Sequence, residues 1–191
     1  MTTHGSRKIS NALKILIPVA MIILLVVGGL SLIQFQFTRS PDRESSTEIA
    51  RDKIVKDFYL TSLDGKKKLI SELPHKIVLI NFWATWCEAC VDEMPSLVNL
   101  RNRYKNQGFE ILGINLDENP EAVLSKAVRQ LGIEFPVFKD PDGDLSDLFN
   151  IHAIPFTVIM DHQRKILFVK HGEMNWDSPK MQAEMERWLA K

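Results

Sequence analysis

The stretch KIVLINFWATWCEAC, residues 76–90, runs from an almost unbroken apolar segment straight into a pair of cysteines. From Ile77 to Trp83 only Asn81 interrupts the apolar side chains, the pattern of a strand covered on both faces, as in a parallel sheet. Beyond the cysteines, Met94, Leu97, Val98, Leu100 and Tyr104 recur at helical spacing, which predicts a helix over 88–106 that stops at Gly108. A buried strand thus feeds a helix, with Cys87 and Cys90 at the joint.

The flanking sequence repeats this alternation. Upstream, Phe58–Leu60 and Lys68–Ile70 enclose an Asp64-Gly65 turn and predict a hairpin. Downstream, Phe109–Leu116 reads as a second buried strand. Asn119 as N-cap and Pro120 at the first helical position then predict a helix to Leu131. A short strand over 136–139 and a short helix over 145–149 come next. An antiparallel pair (156–160 and 166–169) and a helix over 178–190 close the chain. The class is α/β, a mixed central sheet flanked by helices, with an N-terminal β-hairpin and a central βα insertion at 109–139.

The chain has 191 residues, 24 basic and 24 acidic, and 45% are hydrophobic. That balance excludes a strongly basic nucleic-acid binder, and the composition excludes wholesale disorder. The charge is unevenly spread: residues 1–40 contain Arg7, Lys8, Lys14 and Arg39 and no acid. Within them ILIPVAMIILLVVGGLSLI, residues 15–33, is uncharged. As a helix it would measure about 28 Å, close to the hydrocarbon thickness of a bilayer. Basic residues on its short N-terminal side place that end in the cytoplasm and the body of the protein on the extracytoplasmic face. A cleaved signal peptide is the rival. Its apolar stretch would be shorter, and Gly29-Leu30-Ser31 is a weak cleavage site. The expected organisation is a basic cytoplasmic terminus (1–14), a transmembrane anchor (15–33), a polar linker (34–53) and one domain (54–191).

Cys87 and Cys90 are the chain's two cysteines. At a helix N-terminus a thiolate faces unpaired N–H groups and the positive end of the dipole, which lower its pKa. Cys87 is therefore expected to be exposed and to attack; Cys90, one turn further in, is expected to be more buried and to resolve the mixed disulfide. Three duller readings compete. A zinc site needs about four ligands, and His75, His152, His162 and His171 lack ligand spacing. A staple closing so short a loop removes little chain entropy. Two inert core thiols are the third reading.

Phe82-Trp83-Ala84-Thr85-Trp86-Cys87-Glu88-Ala89-Cys90 resembles the active-site stretch of thioredoxin-fold proteins, and Pro95 stands where that family has a helix-kinking proline. Ile154-Pro155-Phe156-Thr157 is similar to the segment that holds the family's cis-proline. With the hairpin and the insertion, residues 54–190 look most like the TlpA/ResA/CcmG branch. The resemblance implies a membrane-anchored thiol–disulfide oxidoreductase that uses a redox-active Cys87–Cys90 pair and no other cofactor. It implies protein disulfides as substrates, apocytochrome c among them, and a transmembrane thiol donor of the CcdA or DsbD type. It also implies that Ile154 and a cis Pro155 face Cys87, with Trp86 and Trp83 as candidates for the apolar surface around it.

Two departures from plain thioredoxin stand out. Asn81 occupies the position of a buried aspartate thought to assist proton transfer, so that role is vacant, and Glu93 matches an acid of the ResA-like branch. Glu93 is expected to be partly desolvated, with a raised pKa, and to handle the proton of Cys90; a solvated acid on the first helical turns is the alternative. Glu88, beside Cys87, opposes the helix dipole and favours a reductant over an oxidant. The rival functions are a peroxiredoxin-type peroxidase and a copper-delivery protein in which His152 would assist the cysteines.

Overall fold

The computed structural model describes residues 51–191. The expected basic terminus (1–14), the anchor (15–33) and the linker up to residue 50 lie outside the described residues. Among the described residues no helix is long and apolar enough to cross a membrane.

Strand β3 (Ile77–Trp83) organises the domain, and all seven of its residues are buried. It pairs in parallel with β4 (Phe109–Asn115), which pairs in parallel with β5 (Val137–Lys139). On its other side β3 pairs antiparallel with β6 (Phe156–Asp161), and β6 with β7 (Ile166–His171). The hairpin of β1 (Tyr59–Ser62) and β2 (Lys67–Leu69) joins through β1 to β5, giving one seven-stranded mixed sheet in the order β2-β1-β5-β4-β3-β6-β7. Gly65, at φ 82°, makes the hairpin turn and donates its N–H to the Ser62 carbonyl at 2.9 Å.

The unbroken apolar run of β3 follows from two cores. Ile77, Leu79 and Trp83 face α1 (Glu88–Tyr104), α2 (Pro120–Gln130) and α4 (Pro179–Leu189), where Met94, Leu97, Leu100, Leu124, Met181 and Trp188 meet them. Val78, Ile80 and Phe82 face the opposite way, against Phe58, Leu60 and, from the short helix α3 (Asp144–Leu148) and the residue after it, Leu145 and Phe149. Fully burying one such side chain contributes about 1.5–3 kcal/mol, so each face of β3 is strongly specified. The period of two then leaves Asn81 on the α1 face, between Leu79 and Trp83.

Within residues 109–139, β4 is an interior strand and β5 is the link between it and the hairpin. Asn119 stands at the N-cap of α2 as expected, but its side chain makes no capping hydrogen bond; the proline after it has no N–H, so one orphan donor is already removed. Ser178 does cap α4, accepting from the Met181 N–H. The last turn of the long helix is a 3-10 turn, Lys105–Gln107, ended by Gly108 in the left-handed region.

Candidate active site

The C-terminal end of β3 carries the chemistry. After Trp83 the chain turns through Ala84, Thr85 and Trp86, and the Cys87 N–H closes the turn on the Ala84 carbonyl at 3.3 Å. Cys87 is the N-cap of α1: its Sγ accepts from the Cys90 N–H at 3.2 Å, and its carbonyl accepts the Val91 N–H at 3.1 Å. The two cysteines are joined as a disulfide, with Cα atoms 5.2 Å apart. Cys87 is 8% exposed and Cys90 not at all. The expected order of accessibility holds, but Cys87 is less open than expected because its sulfur curls back over the first turn of α1 and is bonded to that of Cys90. Trp86 projects beside it and is 71% exposed, whereas Trp83 is fully buried and belongs to the core. Glu88 is exposed on the first turn of α1.

Glu93, one turn beyond Cys90 on α1, is only 3% exposed. Three donors converge on its carboxylate: Asn81 Nδ2 at 2.7 Å on Oε1, and Trp176 Nε1 at 2.9 Å and the Met174 N–H at 3.4 Å on Oε2. Burial pushes its pKa up, and the hydrogen bonds from Trp176, Asn81 and Met174 pull against that shift. The alternative of a solvated helix-face acid is therefore not what the structure has. Asn81 also donates to Thr157 Oγ1 at 3.0 Å, while its Oδ1 has no partner. Asn81, which cannot ionise, thus serves as a donor aimed at the Glu93 carboxylate.

The Ile154–Pro155 peptide is cis. It enters β6, whose Phe156 pairs with Phe82, so Pro155 stands at the same end of the sheet as the cysteines. Ile154 packs against the core cluster that includes both of them. His152 is exposed, and among the described residues no group of three or more His, Cys, Asp or Glu side chains is placed to hold a metal.

Sequence reasoning missed Asp117 and Trp176. The Asp117 carboxylate accepts from the Thr85 N–H at 3.2 and 3.3 Å, Thr85 Oγ1 at 3.0 Å and Asn115 Nδ2 at 2.8 Å, which ties the turn before Cys87 to the end of β4. The pairing of Trp83 with Asn115 is the signal that would have placed Asp117 near that turn. Trp176 lies in the irregular segment between β7 and α4, where no periodicity assigns it a neighbour.

The geometry is that of a dithiol/disulfide pair at a helix N-terminus, backed by a buried acid. A family model described as the AhpC/TSA family matches residues 52–169. The thiol-disulfide oxidoreductase ResA of Bacillus thuringiensis subsp. konkukian is 31% identical over 172 residues, covering 89% of this chain and 92% of that protein. ResA of Geobacillus kaustophilus is 34% identical over 128 residues, covering 67% of this chain and 73% of that protein. Among solved structures, a thiol:disulfide interchange protein of the thioredoxin family from Chlorobium tepidum superposes with a TM-score of 0.59 at 26% identity. It covers 74% of this chain and 96% of its own.

Proposed function

From the premise that this chain belongs to the AhpC/TSA family, as a thiol–disulfide oxidoreductase of the ResA kind, we propose that it reduces disulfides of extracytoplasmic proteins from a membrane-anchored position. Apocytochrome c is the substrate that best fits this reading, because its haem-binding cysteines must be reduced before attachment. The Cys87 thiolate attacks one sulfur of the substrate disulfide; the second substrate sulfur leaves as thiolate and takes a proton from solvent. Cys90, deprotonated by Glu93, then attacks Cys87 Sγ. This expels the reduced substrate and leaves the Cys87–Cys90 disulfide. Trp86 and Ile154 form the surface on which the substrate segment lies, and the buried cis Pro155 sets the course of the chain beside them.

No cofactor beyond the cysteine pair is required. In a compartment that favours disulfides, the electrons that restore the dithiol must come across the membrane, from a thiol carrier of the CcdA or DsbD type. The apolar stretch at 15–33 and the basic residues before it support the anchor and its orientation.

The observation that carries the reading is the pair at the N-terminus of α1 with the buried Glu93 one turn behind it. The reduction potential of the Cys87–Cys90 couple in the full chain tests it. A value well below about −200 mV supports an electron-fed reductant, and a value near about −120 mV, as for strong oxidants, overturns it. Cys90→Ala should trap the partners as mixed disulfides on Cys87, and cytochrome c polypeptides among them would identify the substrate.

A further inference from the structure

For each turnover Glu93 must return its proton to water, yet the substrate covers the Cys87 face at the moment Cys90 is deprotonated. Cys90 itself is fully buried. A second way out exists. A cavity of about 590 Å³ runs along α1, with Glu93 in its wall. Asp92, Pro95, Ser96 and Asn99 line one side, a stripe at helical spacing adjacent to the buried stripe of Cys90, Met94 and Leu97. Residues Glu173–Asn175 line the other side, from the segment after β7. Asp92, Asn99, Glu173 and Asn175 are exposed, so the cavity opens to solvent. Its volume far exceeds the roughly 10–15 Å³ that one water needs, and the side chains of Asp92, Ser96, Asn99 and Asn175 supply polar partners along its walls. Trp86, Cys87, Cys90, Ile154 and Pro155 are all absent from its lining.

We propose that this cavity is the aqueous route by which Glu93 exchanges its proton with solvent while a protein partner occupies Cys87. The inference rests on the reading of Glu93 as the group that takes the Cys90 proton. In the covered complex the Cys90 thiol gives its proton to the Glu93 carboxylate. The resulting thiolate attacks Cys87 Sγ and expels the partner's sulfur as thiolate. Neutral Glu93 then passes the proton to water in the cavity and regains its charge, with no need for the partner to leave first.

The groups around Glu93 suit such an exchange. Asn81 from β3, hydrogen-bonded in turn to Thr157 of β6, holds Oε1; Trp176 and the Met174 N–H hold Oε2 from the segment before α4. These are neutral donors, so none traps Glu93 permanently in its charged form. The ionisable groups on the cavity side, Asp92 from α1 and Glu173 and Asp177 from the segment after β7, are all acids. Glu173 adds repulsion that favours the protonated form.

Chemical rescue tests the route in the full chain, with insulin as the protein disulfide and formate as the probe. Glu93→Ala should slow release of the Cys87 mixed disulfide by about 100-fold, the scale of a lost general base. Formate entering through the cavity should restore the rate several-fold, and Asn99→Trp, which fills the mouth, should abolish that rescue. An unchanged rate in Glu93→Ala would overturn the proton role itself, and the route with it. A slow, folded Glu93→Ala protein indifferent to formate would overturn the route and leave the role standing. Should Glu93→Ala fail to fold, Asn99→Trp in the otherwise native chain decides. It should slow release several-fold at an unchanged reduction potential, and a native rate refutes the route.

Discussion

Trp176→Phe isolates one donor on the buried carboxylate. The indole is fully buried and donates Nε1–H to Glu93 Oε2 at 2.9 Å. Phenylalanine keeps an aromatic ring against Phe168, whose ring centroid lies 6.2 Å away, but brings no donor. A hydrogen bond to a charged group contributes about 1.5–3 kcal/mol, and one pKa unit corresponds to about 1.36 kcal/mol. The bond favours the ionised form, opposing the burial that raises the pKa; a neutral carboxyl would keep a weaker bond, so its loss disfavours the carboxylate by the difference, about 1–1.5 kcal/mol, and moves the Glu93 pKa up. At a given pH less carboxylate then remains to take the Cys90 proton. The inflection in the pH profile of mixed-disulfide release, followed by stopped flow in a single turnover, should move to higher pH. In a Glu93→Gln background the same substitution should move nothing, because the titrating group is gone. A loss of packing lowers stability without moving the inflection. An inflection that stays in place, or moves to lower pH, would refute the coupling of Trp176 to Glu93 and of Glu93 to Cys90.

Glu93→Gln should also change the pH dependence of stability. The native pKa of Glu93 lies above its unfolded value, so native stability falls as pH rises from the ordinary glutamate range through the raised native value, and stays lower above it. The variant should flatten that fall, read as urea midpoints from about pH 4 to about pH 8. Asp117→Ala leaves the Thr85 N–H and hydroxyl without their acceptor and should cost about 1–3 kcal/mol in urea unfolding while slowing reduction of insulin; Asp117→Asn, which keeps one acceptor oxygen, should lie nearer the native protein in both. Ser178→Ala removes the cap of α4 and should cost about 1 kcal/mol in the same unfolding assay with the redox potential unchanged.

The elements were legible in the sequence wherever local pattern decides structure. The run at Ile77–Trp83 announced a strand with two covered faces, and the spacing of Met94, Leu97 and Leu100 announced the helix that follows it. Pro120 marked the start of α2. Near Cys87 and Cys90 legibility stops at the residues adjacent in sequence. Trp176 reaches Glu93 across 83 positions and Thr157 reaches Asn81 across 76, so only the folded sheet brings them together. Asp117 is nearer, 32 positions from Thr85, but its partner is a turn whose course depends on the pairing of β3 with β4. Capping at Asn119 misled in a different way: the sequence specifies the helix start, but not whether the side chain turns back to use it.

Asn81 shows why a residue cannot be assigned a role by what it lacks. Taken alone, an amide in place of an ionisable acid is a lost proton carrier. In the structure the acid sits on α1 instead, at Glu93, and β3 presents an N–H to it at 2.7 Å. A carboxylate at position 81 would place a like charge in contact with Glu93 and drive its pKa higher still, whereas the amide donates whatever the pH. The two positions therefore form one unit. On the proposed reading the ionisable group stands on the helix, one turn from Cys90 and in a residue that lines a solvent cavity, and the amide on the strand is its hydrogen-bond partner.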